Sequence, residues 1–220
     1  MEMEKKDTGK PSLLGMFWRP NEQFEKIYQQ PKIWGALGII TLIYVLAASL
    51  SALTMKAEDI VVPGTLSLEQ AELVLPLTKF TTAVGGLFAP IFGVLISTVI
   101  YFIIVKIASK NTTFKQLFSM NTYILVIGAA GLLLNNLIQY LVGQNSDIFY
   151  TSLGGVLGSD SPVLSTFEVF SIWQLILVAF GLHKVGQLSK GAAWTISIVF
   201  FLLGLGMGFI AETIQGITGI

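Results

Sequence analysis

Five stretches of this chain are long, apolar and free of charge, and they leave few folds open. Ile33–Thr54, Thr81–Val105, Asn121–Val142, Val169–Leu182 and Ala193–Ala211 contain no Asp, Glu, Lys or Arg. The hydrocarbon core of a bilayer takes about 20 apolar residues in helical form. Only 12% of the residues are charged and the mean hydropathy is +0.74. A soluble domain carries about 25% charged residues, so these charges are too few to cover a water-soluble globule of 220 residues. The expectation is an all-α integral membrane protein with five transmembrane helices, at about 33–54, 81–105, 121–142, 165–182 and 193–214. The fourth is the shortest, because Glu168 sits where a longer span would begin.

The basic residues set the orientation. Lys5, Lys6, Lys10, Arg19, Lys26 and Lys32 precede the first span. Lys106, Lys110 and Lys115 lie between the second and third, and Lys184 and Lys190 between the fourth and fifth. Of the 13 Lys and Arg residues, only Lys56 and Lys79 fall in the opposite compartment. The positive-inside rule therefore predicts a cytosolic N-terminus and an external C-terminus. Residues 1–11 are expected to be a disordered cytosolic tail, 12–31 an interfacial amphipathic helix, and 32–220 the five-span membrane domain. Outside, Ser67 followed by Gln70 is a capping-box pattern, predicting a short external helix that ends near Pro76. The Gly- and Ser-rich stretch Gly143–Pro162 reads as a flexible, partly re-entrant loop. Ala47–Ala52 (AASLSA) has the small residues of a signal cleavage site. The apolar run there is longer than a signal core and begins some thirty residues in, so a retained span is expected.

The cytosolic edges carry periodic apolar faces. Pro20 suits a first helical turn, and Pro31 ends the helix it starts. Phe24, Ile27 and Tyr28 share one face of that helix. Lying in the headgroup plane, the helix would place Trp34 at the membrane boundary. That face serves as a lipid anchor or as a partner surface. In the next cytosolic loop, Thr112 or Thr113 is a candidate N-cap, and Phe114, Leu117 and Phe118 form a second apolar face. The third loop, Leu182–Trp194, is short and basic and holds His183. All three elements are expected to form one interfacial layer.

Polar and small residues mark the spans themselves. Asn135 and Gln139 lie one turn apart in the third span, beside Asn136, with Gln174 in the fourth as the expected partner. Such amides act as glue between helices or line a substrate path. Glu168 and Glu212 are the only carboxylates near membrane depth, each at the external end of its span. Ala89, Gly93 and Ser97 in the second span, and Gly204 and Gly208 in the fifth, are small residues at four-residue spacing. They permit close helix approach, within the chain or to a second copy of it. Pro90 predicts a kink in the second span.

Several functions are disfavoured. With zero net charge, nucleic acid is not an expected partner. The absence of Cys removes thiol catalysis, and a lone His is poor material for a metal site. There is no G-x-S-x-G, H-E-x-x-H or P-loop, so no enzyme and no cofactor is expected. Two readings remain. One is a membrane adaptor working through packing faces in the bilayer. The other is a small-molecule or ion transporter or channel using the polar face of the third span, although no inverted repeat is evident.

Pro20, Phe24, Ile27, Pro31 and Trp34 form a P…F..I…P..W pattern. With Thr113–Tyr123 (TFKQLFSMNTY), Phe167–Leu182 (FEVFSIWQLILVAFGL) and Leu188–Trp194 (LSKGAAW), it resembles the bacterial Yip1 family of membrane proteins from Ser12 onward. Glu168 stands where members often carry Asp, and no proline follows Tyr123 where many have one. The resemblance implies a multispan cell-membrane adaptor that binds another membrane protein. The opening Gly9–Phe17 (GKPSLLGMF) is similar to one bacterial member in particular. That narrower likeness implies an accessory of an ABC exporter complex, in toxic-peptide or stress resistance.

Overall fold

The computed structural model describes residues 9–61, 64–143 and 148–218. Within them the chain forms α1 (Gly15–Trp18), α2 (Pro20–Gln29), α3 (Trp34–Thr54), α4 (Leu68–Ile107), α5 (Phe114–Val142), α6 (Leu153–Leu157), α7 (Pro162–Ser165), α8 (Val169–Lys184) and α9 (Lys190–Thr218). A 3₁₀ turn at Ala57–Ile60 follows α3. Of the tail expected at 1–11, residues 1–8 lie outside the described residues. Pro11 is already packed, its carbonyl accepting the Tyr123 hydroxyl at 3.2 Å, so order begins before Ser12.

The helix ends follow from side-chain caps. Pro20 opens α2, and the helix stops short of Pro31. Ser67 and Gln70 make a reciprocal capping box at the head of α4, and Thr113 and Gln116 make another at the head of α5. Gly143 closes α5 at φ +71°, a conformation glycine adopts without steric cost.

Two helices are longer than the sequence suggests. The short helix expected outside after Ser67 does not end near Pro76: α4 continues through Pro76 and Pro90 for 40 residues, about 60 Å at the α-helical rise. Proline deletes one backbone bond, but Pro76 and Glu72 are exposed, so water can satisfy the freed Glu72 carbonyl. In the same way, the amphipathic segment at Phe114 and the third span are one helix of 29 residues. With no proline after Tyr123, nothing interrupts it.

Among the described residues, four helices, α3, α4, α5 and α9, are long and apolar enough to cross a membrane. At 16 residues, α8 spans about 24 Å, less than the hydrocarbon thickness of roughly 30 Å. It nevertheless runs between the two ends of the bundle. Glu168 at its head meets the 148–168 loop, and Lys184 at its tail pairs with Glu25 of α2 at 3.3 Å.

α5 is the hub, with α1, α2, α3, α4 and α8 all packed on it. α9 packs on α8 and α7. α3 and α4 approach closely at Gly86, where a Cβ would sit 2.8 Å from both the Ala48 Cβ and the Tyr44 carbonyl oxygen. The loop expected to be flexible is folded over its described part, 148–162. Ser152 caps α6, Gly158 ends it at φ +64°, and Ser152 bridges to Glu168.

Candidate functional site

The polar residues of the third span converge on that folded loop. Asn135 is fully buried on α5. Its Nδ2 donates to the Thr151 hydroxyl at 2.7 Å and to the Gly131 carbonyl at 2.8 Å. Its Oδ1 accepts the Thr151 amide at 3.1 Å. The Thr151 hydroxyl donates in turn to Glu168 Oε1 at 2.7 Å. Glu168, only 4% exposed, also accepts the Phe170 and Ser171 amides at 3.0 and 2.6 Å, capping α8. Every donor of Asn135 and Thr151 thus has an acceptor, and both carboxylate oxygens are engaged. A buried network satisfied to this degree rigidifies what it joins, here α5, the loop and α8.

The expected partner Gln174 is elsewhere. Its side chain fills the gap over Gly128 of α5, and the hydrogen bonds of Asn135 go to Thr151 instead. Thr151 carried no sequence signal, since a loop residue 16 positions downstream shares no helical period with Asn135. The other amides also tie elements together. Asn136 donates to the Ala47 carbonyl of α3 at 2.8 Å. Asn121 donates to Thr98 of α4 at 2.9 Å, a pair the sequence did not single out. Gln139 is buried. Glu212 accepts from Ser161 at 3.1 Å, joining α9 to α7. Among the described residues, no three His, Asp or Glu side chains gather as metal ligands.

At the other end of the bundle, the three elements expected to be cytosolic are tied together. Gln116 donates to the Tyr28 carbonyl at 2.7 Å, and Gln187 donates to the Tyr28 hydroxyl. Thr112 donates to the Val185 carbonyl at 2.9 Å, and Ser119 to the Lys32 carbonyl at 2.7 Å. His183 Nδ1 donates to the Leu188 carbonyl at 2.7 Å, which fixes the turn between α8 and α9. This arrangement changes what the apolar faces meet. Phe24, Ile27 and Leu117 are wholly buried in the core of the chain itself. Phe114 and Phe118 are half-buried and pack against each other at a tilt, and Phe114 also meets Phe102 edge-on. Only Tyr28 of the α2 face keeps a sizeable exposed edge. The face turns inward because α2 packs on both α5 and α8.

The small-residue faces divide. Gly208 packs on α7, where a Cβ would lie 3.1 Å from the Pro162 carbonyl oxygen, and Gly204 faces Thr166. On α4 the close approach to α3 is made by Gly86. Ala89 and Gly93 are exposed, Ser97 is half-buried, and a Cβ at Gly93 would meet open space.

A family model described as the Yip1 domain matches residues 14–211. The chain is 35% identical over 221 residues to membrane protein YknW of Bacillus subtilis strain 168, covering 96% of this chain and 94% of that protein. No solved structure matches.

Proposed function

The chain belongs to the Yip1 family and is a multi-pass cell-membrane protein, and from that premise we propose that it is a non-enzymatic adaptor for another membrane protein. In this reading α3, α4, α5, α8 and α9 are five spans, with the N-terminus cytosolic and the C-terminus external. The bilayer thins locally at α8, a modest cost for a short span. The observation that carries the adaptor reading is the bare face of α4. Ala89, Gly93 and Ser97 stand on its outer side with room above Gly93. Small residues there let a partner helix approach to backbone contact, which is how helices associate in lipid. The saturated hydrogen bonding of Asn135, Thr151 and Glu168 favours a structural role for them over a transport path. We propose an ABC exporter complex as the partner, on the narrower family likeness, with a second copy of the chain as the competing occupant.

A photo-crosslinking residue at Gly93, in native membranes, tests this. Adducts to a different membrane protein are expected, and a probe at the outward Leu202 of α9 should give few. Adducts to the chain itself would replace the adaptor by a homodimer. Lipid adducts alone would remove the reading.

A further inference from the structure

The N-terminal segment leaves a cleft of about 510 Å³ where it passes the start of α3. Lys10 and Lys32 stand in its wall, with Leu13, Gly35, Ile39 and Tyr123. We propose that this cleft binds one anionic phospholipid of the leaflet on which α1 and α2 lie, its phosphate between Lys10 and Lys32 and an acyl chain along α3.

Charge is the first argument. Both lysines are exposed, and among the described residues neither makes an ion pair. The nearby carboxylates of α2 are committed, Glu22 to Arg19 at 3.8 Å and Glu25 to Lys184 at 3.3 Å. Basic pockets among membrane helices suit anionic headgroups. Depth is the second argument. Trp18 and Trp34 are 80% and 83% exposed at this same end of the bundle, and exposed indoles sit at headgroup level. The third is the path for a tail. Ile39, Leu42 and Leu46, all more than half exposed, run away from the cleft along one side of α3 toward the bilayer interior. At Gly35 a Cβ would meet nothing within 4 Å, so the glycine keeps the cleft open where it meets that track. A soluble anion would use the lysines but not the track, and a zwitterionic lipid the track but not the unbalanced charge. This inference needs only that α3 spans the membrane and is independent of the adaptor reading.

The intact chain in phosphatidylcholine vesicles provides the test, with brominated phosphatidylglycerol or brominated phosphatidylcholine added at equal mole fraction. Quenching of tryptophan fluorescence reads lipid contact, and Trp34 directly precedes Gly35 of the cleft wall. Two lysines at the headgroup should give a preference of about tenfold for the anionic lipid, weakened by salt. Lys10→Gln with Lys32→Gln should abolish it, and Gly35→Leu should reduce it by filling the cleft. Lys106→Gln with Lys110→Gln, a matched charge loss at the end of α4, should leave it intact. Millimolar inorganic phosphate should not compete. Equal quenching by both lipids, equal loss in the two double variants, or displacement by phosphate would each overturn the proposal.

Discussion

The Thr151 hydroxyl donates to Glu168 Oε1 at 2.7 Å, and it also accepts from Asn135, so one loop residue couples α5 to the head of α8. Thr151→Val keeps the side-chain shape and removes both contacts. Burying the partners unsatisfied costs about 1–3 kcal/mol, so the variant should melt earlier in detergent than the wild type. Ser171→Ala, whose backbone amide still reaches Glu168, should melt like the wild type. An unchanged melting temperature for Thr151→Val would mean that the network does not hold the loop.

Two glycines of α4 should answer differently to the same substitution. Gly86→Ala forces a methyl against Ala48 and the Tyr44 carbonyl of α3, and overpacking of this kind costs about 1–3 kcal/mol. Gly93→Ala meets open space and should be neutral or slightly stabilising, since alanine has the better helix propensity. Thermal denaturation in one detergent compares them directly. In cells the ranking reverses: Gly93→Leu should lose the partner, at unchanged stability.

The legibility of the chain divides along physical lines. Apolar run length located α3, α4, α5 and α9, the helices long enough to span, and the shorter apolar α8. The Ser67 capping box and an N-cap at Thr112 or Thr113 were readable because a cap and its partner lie within one turn. The length of α4 was not readable, because whether Pro76 ends a helix depends on what satisfies the carbonyl it frees. Periodicity placed Phe24 and Ile27 on one face but not what that face would meet, since the packing of α2 on α5 and α8 is a tertiary fact. Asn135 was found as a polar residue in an apolar span. Its partner was not, because Thr151 belongs to a loop whose return path no local pattern encodes.

The interior position of Phe24 separates folding from binding. Its ring is fully buried while Tyr28 keeps an exposed edge. Phe24→Ala should cost about 3–5 kcal/mol, as deletion of a buried aromatic does, and lower the yield of folded protein. Tyr28→Ala loses the hydroxyl contact to Gln187 but opens no comparable cavity, so it should fold with a smaller loss. Yield and melting temperature of the purified proteins check this. Equal effects would mean that α2 lies on lipid rather than on the core.

Topology can be read without background, because the chain has no cysteine of its own. Single cysteines at Glu69, Asn111, Asp160 and Gly191 are all at exposed positions. Glu69→Cys and Asp160→Cys remove acids, which contribute little to orientation, and a side chain at Gly191 meets open space. With five spans and a cytosolic N-terminus, a membrane-impermeant maleimide should label positions 69 and 160 on intact cells. Positions 111 and 191 should react only after permeabilisation. The decisive pair is 160 and 191, which flank α8. Its 16 residues leave it below the usual spanning length, while Glu168 and Lys184 anchor it to opposite ends of the bundle. Labelling of both from one side would make α8 a buried helix that does not cross, and would turn the C-terminus to the cytosol.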